Sequence, residues 1–143
     1  MGMTKPVKIV VVDDNTADTD LLRIALDEQH EPYELQVLKT GDEALEFVRE
    51  HRSGKHSPDP CAIILDLHLP RYNGLAILQA VRQAPVLSHI NVLVLSGSAS
   101  PEEREQIAAM GAIYRQKPFN LEEFIELGAE ILALCRAQIS AAA

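Results

Sequence analysis

Short apolar runs alternate with longer amphipathic segments along the whole chain. The first run, "KIVVVD" at 8–13, is β-branched and lacks polar alternation, which is typical of a parallel strand buried on both faces. Continuous apolar runs and simple alternation together predict five strands: 8–13, 33–39, 61–66, 91–97 and 112–117. Apolar positions at helical spacing predict five helices: 16–29, 41–52, 74–84, 101–110 and 120–139.

Capping residues mark the ends of two of these helices. The stretch Ser100-Pro101-Glu102-Glu103 has the spacing of a capping box, with proline at the first helical position. Gly111 is the predicted end of that helix, and Asn120 is the predicted N-cap of the last one.

The strict alternation of strands and helices predicts an α/β fold. Its expected architecture is a doubly wound, five-stranded parallel sheet with helices on both faces. A length of 143 residues suits one domain, predicted to span 1–143 with a core from about residue 7 to residue 138.

Composition excludes several classes of function. The 13 Lys and Arg against 21 Asp and Glu give a net charge of −8, which argues against nucleic acid as a partner. No apolar stretch reaches the length of about 18 residues that a membrane span needs, and "MGMTKP" lacks the apolar core of a secretory signal.

Cys61 and Cys135 each lie in an apolar run, which predicts small buried side chains rather than a disulfide and fits a reducing, cytoplasmic setting. The histidines outside the candidate site are predicted to be surface residues: His30, His51, His56 and His89.

Polar residues follow or end four of the five predicted strands. They are Asp13 and Asp14 on the first, Asp66 on the third, Ser96 on the fourth and Lys117 on the fifth. Because the carboxyl ends of parallel strands meet at one edge, all five residues are expected on the same rim, where such sheets bind ligands.

The rim has the chemistry of a phosphoryl acceptor. Carboxylates about 4–5 Å apart repel by roughly 3–4 kcal/mol at an effective dielectric near 20, and oxygen ligands suit a hard cation such as Mg²⁺. Asp66 is the candidate nucleophile, since the following "LHLPRYNG" is predicted to be a loop that leaves its side chain accessible. The phosphate loops GxxxxGK[ST] and GxGxxG are absent, which argues against nucleotide hydrolysis and hydride transfer.

Four stretches in this order resemble the receiver domain of two-component response regulators. They are "VVDDN", "IILDLHLPRYNGLAIL", "VLVLSGS" and "GAIYRQKPF". The resemblance covers about residues 7 to 127 and implies the flavodoxin-like (βα)5 fold with strand order 2-1-3-4-5.

The resemblance also implies a role for each rim residue. Asp66 would be the phosphoacceptor, and Mg²⁺ would be held by Asp13, Asp14, Asp66 and the backbone carbonyl of His68. Asp14 would be the direct ligand of the acidic pair, while Asp13 would act largely through water.

A second set of implied roles concerns the switch that follows phosphorylation. Ser96 would supply the switch hydroxyl, Lys117 would bind a phosphoryl oxygen, and Tyr114 would be the switch aromatic. A cis peptide bond is implied before Pro118. His68 and Ser98 would flank the path of the hydrolytic water, and whether His68 hinders or positions that water stays open.

The expected function is that of a stand-alone response regulator. A sensor histidine kinase would phosphorylate Asp66, and the chain would catalyse only its own phosphorylation and dephosphorylation. The long loop "EHRSGKHSPDP" and the long last helix resemble the small regulators of bacterial and cyanobacterial phytochrome kinases. A phosphorelay intermediate or a phosphate sink is the alternative.

The last helix predicts a self-association surface. Its apolar residues cover more than the stripe of about 100° that one sheet face requires: Leu121, Phe124, Ile125, Leu127, Ile131, Leu132, Leu134 and Ile139. A homodimer through this helix and the last strand is therefore expected, with an unidentified downstream protein as a further partner.

Overall fold

Five parallel strands form the central sheet of the computed structural model, which describes residues 5–52 and 59–142. In chain order the elements are β1 (Val7–Val12), α1 (Thr16–Asp27), β2 (Tyr33–Leu38), α2 (Gly41–Arg52), β3 (Ala62–Asp66), β4 (His68–Leu69), β5 (Tyr72–Asn73), α3 (Gly74–Gln83), β6 (Asn91–Ser96), α4 (Pro101–Ala109), β7 (Ile113–Gln116) and α5 (Leu121–Ala142). His56 and most of the predicted loop 53–60 lie outside the described residues.

The sheet order is β2-β1-β3-β6-β7, and all of its pairings are parallel. Counting only the strands of this sheet, the order is 2-1-3-4-5, so the predicted flavodoxin-like topology is confirmed. The predicted strands and helices are all present, and their ends differ by at most two residues except at the end of α5.

Helices cover both faces of the sheet, which explains the uninterrupted apolar runs. Val10 and Val12 of β1 pack in the layer under α2, α3 and α4, while Ile9 and Val11 pack in the layer under α1 and α5. Because side chains alternate between faces along a strand, every position of a doubly covered strand must be apolar.

A short hairpin was missing from the predicted elements. Strands β4 and β5 pair antiparallel, His68 with Asn73 and Leu69 with Tyr72, where a loop was expected. Arg71 takes a left-handed conformation, φ 68°, at the turn between the two strands. Two-residue strands carry no periodic signal, so this hairpin follows from the turn and not from a hydrophobic pattern.

The prediction for the two cysteines is wrong. Cys61 and Cys135 form a disulfide, with their Cα atoms 5.1 Å apart, that links the residue before β3 to α5. Both residues were correctly expected to be buried, and both lie in the core layer under α1 and α5. The packing of α5 on the sheet brings together two apolar runs that lie 74 residues apart in the chain. The prediction of a reducing, cytoplasmic setting rested on unpaired cysteines, so the disulfide removes its support.

The surface prediction is confirmed for His30 and His89 and wrong for His51. His51 is buried on the core-facing side of α2, where its ring centre lies 4.1 Å from that of Phe47. Its Nδ1 atom is 2.9 Å from the backbone carbonyl oxygen of Phe47. One turn of helix separates the two residues, so His51 shares the buried face of Phe47.

Within the described residues, no helix is both long enough and apolar enough to cross a membrane.

Loss of the disulfide should lower the stability of the fold. The disulfide links residues 74 apart in the chain and so restricts the conformations of the unfolded state. Without it the entropy of the unfolded state rises, and Cys135→Ser should lower the free energy of unfolding by about 2–4 kcal/mol. Urea unfolding would measure this loss, and reduced wild-type protein should lose a similar amount. The Cys135→Ser variant serves as the control, because its stability should not respond to dithiothreitol. Two thiols that react with iodoacetamide in the unreduced, denatured protein would contradict the disulfide.

Candidate functional site

The carboxyl ends of four strands bring the predicted rim residues together. Asp13 follows β1, Asp66 ends β3, Ser96 ends β6 and Lys117 follows β7. The parallel register aligns these ends, because Val12 pairs with Leu65 and Asp66 pairs with Leu95. The backbone N–H of Lys117 donates to the carbonyl oxygen of Ser96 at 3.0 Å, which fixes the start of the lysine side chain at the same rim.

Three carboxylates form the centre of the site. One oxygen from each of Asp13, Asp14 and Asp66 lies within 4.8 Å of the others. Asp13 and Asp66 are buried and Asp14 is exposed, so the cluster opens to solvent on the Asp14 side. A group of oxygen ligands of this kind fits a hard divalent cation.

Lys117 lies among these carboxylates and also reaches one that sequence reasoning missed. Its Nζ atom is 3.2 Å from Asp66 Oδ2, 3.6 Å from Asp13 Oδ2 and 3.0 Å from Asp18 Oδ2. Asp18 is in the first turn of α1, whose N-cap Asn15 accepts a hydrogen bond from the Asp18 backbone N–H. Because α1 begins directly after the acidic end of β1, its first turn must lie on the same rim. The acidic residue in this first turn was therefore the sequence signal that could have predicted the contact with Lys117.

Burial and charge shift the titration of two of these groups. Burial raises the pKa of Asp13, and the hydrogen bond from the Asn15 backbone and the charge of Lys117 oppose this only in part. For Lys117, burial alone would lower the pKa. The hydrogen bond with Asp18 and the charges of Asp66, Asp13 and Asp18 outweigh burial, so the pKa of Lys117 lies above its usual value.

Asp66 is less accessible than the sequence suggested. The residue is only 7% exposed. The segment after it folds into the β4–β5 hairpin, and Lys117 Nζ lies 3.2 Å from its carboxylate. Each carboxylate oxygen already has a donor: the backbone N–H of His68 donates to Oδ1 at 3.1 Å, and Lys117 Nζ donates to Oδ2. A ligand at Asp66 must therefore compete with Lys117.

Ser96 and Tyr114 are linked through the end of β6. The buried Ser96 Oγ accepts a hydrogen bond from the backbone N–H of Ser98 at 3.0 Å and lies 3.2 Å from His68 Nδ1. The Tyr114 hydroxyl donates to the backbone carbonyl oxygen of Ser96 at 3.1 Å. The Arg104 guanidinium lies 4.9 Å from the centre of the Tyr114 ring, a cation–π contact from α4.

One implied feature is absent. The described residues contain no cis peptide bond, so the bond between Lys117 and Pro118 is trans, contrary to what the resemblance implied. Because the two forms of an X–Pro bond differ by only about 0.5–1 kcal/mol, local context selects between them.

The fold and this rim define a class of signalling domain. The family model described as the response regulator receiver domain matches residues 9–128. The chain belongs to this family.

Individual relatives agree with that assignment. The response regulator Rcp1 of Synechocystis sp. is 34% identical over 98 residues, which cover 68% of this chain and 67% of Rcp1. The structure of the Mn²⁺-bound form of Rcp1 has a TM-score of 0.76 at 30% identity, and the match covers 88% of this chain and 91% of that one. The phosphorylated cyanobacterial phytochrome response regulator RcpA has a TM-score of 0.78 at 30% identity, with 89% and 91% covered.

The contact between Asp18 and Lys117 should affect cation binding. Replacing Asp18 by Asn removes one negative charge near the cluster and leaves Lys117 free to neutralise Asp13 and Asp66. The affinity for a divalent cation, measured with Mn²⁺ in a calorimetric titration, should fall about 3- to 10-fold, as expected for a unit charge several ångströms away. Asp20→Asn is the matched control, because Asp20 is an exposed acid of the same helix. Equal affinities of the two variants would show that Asp18 has no special role.

Proposed function

We propose that this chain accepts a phosphoryl group on Asp66 and signals through the conformational change that follows. The observation that carries the proposal is the position of the Asp66 carboxylate: one of its oxygens lies 3.2 Å from Lys117 Nζ, and the group lies within 4.8 Å of two further carboxylates. A nucleophilic carboxylate beside a cation site and a lysine is suited to form an acyl phosphate. Residues from about 7 to 138 would act as one receiver domain.

Each rim residue has a distinct part in this reaction. An Asp66 oxygen attacks the phosphorus of a phosphohistidine, the P–N bond breaks as the new P–O bond forms, and the histidine nitrogen leaves. The oxygens of Asp13, Asp14, Asp66 and the His68 backbone carbonyl would hold Mg²⁺, whose charge offsets that of the phosphoryl oxygens. Lys117, already in contact with Asp66, moves its ammonium group to a phosphoryl oxygen.

The switch follows from the bonds that Ser96 and Tyr114 now make. A phosphoryl oxygen on Asp66 offers the Ser96 hydroxyl a charged acceptor, and hydrogen bonds to charged acceptors are stronger than those to neutral ones. Movement of Ser96 carries the backbone carbonyl that receives the Tyr114 hydrogen bond. The surface formed by α4, β7 and α5 would then shift between two populations and change its affinity for a downstream protein.

A sensor histidine kinase is the proposed phosphodonor, with a phytochrome as its sensory class. Similarity to Rcp1 and to the phytochrome response regulator RcpA supports this partner. A cytoplasmic location is proposed on the basis of the kinase and not of the cysteines. The net charge of −8 makes nucleic acid an unfavourable partner.

Self-association through α5 and β7 is a further part of the proposal. Most of the apolar surplus on α5 is buried within the chain against α1 and the sheet, so the surface left for a partner is smaller than the sequence suggested. Phe119 is 80% exposed and Leu121 is 44% exposed, and both lie at the junction of β7 and α5. A second copy of the chain would cover these side chains.

Replacement of Asp66 by Asn should abolish phosphorylation. The wild type should gain about 80 Da per phosphoryl group from either acetyl phosphate or a phytochrome histidine kinase. Because Asn lacks the nucleophilic carboxylate, the variant should gain no mass from either donor. Intact-protein mass spectrometry measures the increase. Asp42→Asn is a matched control at an acid outside the cluster, and it should be labelled as the wild type is.

The two donors separate the parts of this proposal. Stable labelling of Asp66→Asn would overturn the assignment of the phosphoacceptor. If acetyl phosphate and an unrelated kinase labelled the wild type but phytochrome kinases did not, the receiver function would stand and the phytochrome partner would be rejected.

A charge placed in the proposed dimer surface should dissociate the protein. Wild-type protein should sediment as a dimer at micromolar concentration, and Leu121→Glu should sediment as a monomer, since a carboxylate would have to be buried without a partner. Ile24→Glu is the control, because Ile24 is 45% exposed on α1, an element that is not part of the proposed α5–β7 surface. A monomeric wild type, with and without phosphorylation, would overturn the dimer.

A further inference from the structure

A line of three polar side chains runs from the proposed site to the first turn of α4. Ser96 Oγ at the end of β6 lies 3.2 Å from His68 Nδ1 in the β4–β5 hairpin. The other ring nitrogen of His68, Nε2, lies 3.7 Å from Glu103 Oε2 in α4. The contact of 3.7 Å is too long for a hydrogen bond, so Glu103 acts on the ring through its charge.

Glu103 is held in place by the cap of its own helix. Its backbone N–H donates to Ser100 Oγ at 3.1 Å, and its Oε1 accepts from the Ser100 backbone N–H at 2.8 Å. These two bonds form the capping box, and the hydrogen bond from the Ser100 backbone, against a smaller opposing effect of burial, keeps the pKa of Glu103 below its usual value. The second oxygen of Glu103 is therefore a fixed negative charge that faces His68.

This charge selects one arrangement of protons. A carboxylate beside Nε2 favours the tautomer with the hydrogen on that nitrogen, which leaves Nδ1 as an acceptor. Ser96 Oγ already accepts the backbone N–H of Ser98, so its own hydrogen is available to donate to His68 Nδ1. A hydroxyl has one hydrogen, and while that hydrogen is given to His68 it is not available to a phosphoryl oxygen.

We infer that Glu103 is a positioning residue, which orients His68 so that the imidazole holds the Ser96 hydroxyl in its unphosphorylated state. The inference rests on the proposed role of Ser96 as the switch hydroxyl. Phosphorylation of Asp66 must break the contact between Ser96 and His68. The cap of α4 is thereby linked to the state of the site, because the same glutamate serves both.

The variant Glu103→Gln separates the two roles of this side chain. Glutamine still completes a capping box but carries no charge, so the helix cap persists while the restraint on His68 weakens. The affinity for beryllofluoride, which mimics a phosphoryl group, should rise about two- to fivefold in the presence of MgCl₂, the range expected for a partly exposed charge contact. Glu102→Gln is the matched control, because Glu102 is an exposed acid in the same helical turn.

A second measurement reads the ring directly in the protein without beryllofluoride. Long-range ¹H–¹⁵N spectra of wild-type protein should show the Nε2–H tautomer of His68, assigned by loss of its signal in His68→Asn. Glu103→Gln should reduce that preference, whereas Glu102→Gln and the cap variant Ser100→Ala should retain it. An effect of Ser100→Ala on the ring as large as that of Glu103→Gln would indicate that only the helix cap matters and would overturn the inference.

The two measurements distinguish the inference from the proposed function. Equal beryllofluoride affinities and equal tautomer signals in Glu103→Gln and Glu102→Gln would overturn the role of Glu103. If wild-type protein did not bind beryllofluoride at all, the proposed function would fail, and the tautomer signals alone would decide whether Glu103 orients His68.

Discussion

Repulsion among the carboxylates at one edge of the sheet is the constraint on which the site depends. Asp13, Asp14 and Asp66 place oxygens within 4.8 Å of one another, a separation at which two unit charges repel by about 3 kcal/mol at an effective dielectric near 20. The register of β1 with β3 enforces this proximity, because neighbouring strands lie about 4.8 Å apart. Only a cation or a proton can relieve it. Lys117 supplies one positive charge, with its Nζ atom 3.6 Å from Asp13 Oδ2, while burial still holds the pKa of Asp13 above its usual value.

The strands that bring the carboxylates together also bury apolar side chains, and this burial offsets the repulsion. Ile9, Val10, Val11 and Val12 are almost fully buried between two layers of helices. Each fully buried side chain of this size contributes about 1.5–3 kcal/mol, so β1 alone offsets a carboxylate pair at its end. A short, doubly covered strand is thus a suitable support for charges that would otherwise drive the rim apart.

Much of the fold and of the site could be predicted, because both follow from local patterns. Continuous apolar runs and simple alternation defined the strands, and the polar residues at the ends of four of the five strands defined the rim. Features that depend on tertiary packing were missed: the disulfide between Cys61 and Cys135, the burial of His51, and the contact of Asp18 with Lys117. No periodicity in the chain records which buried side chains face each other, and the acid in the first turn of α1 was a signal that the strand-end pattern did not include.

The groups proposed to receive a phosphoryl group are already occupied, which sets the size of the switch. Lys117 binds Asp66 and Asp18, and Ser96 contacts His68. When a phosphoryl group is attached to Asp66, Lys117 and Ser96 therefore exchange their existing contacts for new ones, and few contacts are added. The net change for an exchanged hydrogen bond is a difference of about 1 kcal/mol, far below the strength of either bond alone. When two states lie that close, a contact worth as little as the one between His68 and Glu103 changes their populations severalfold. Residues outside the cluster can therefore determine how far phosphorylation moves the domain, although the chemistry belongs to the rim.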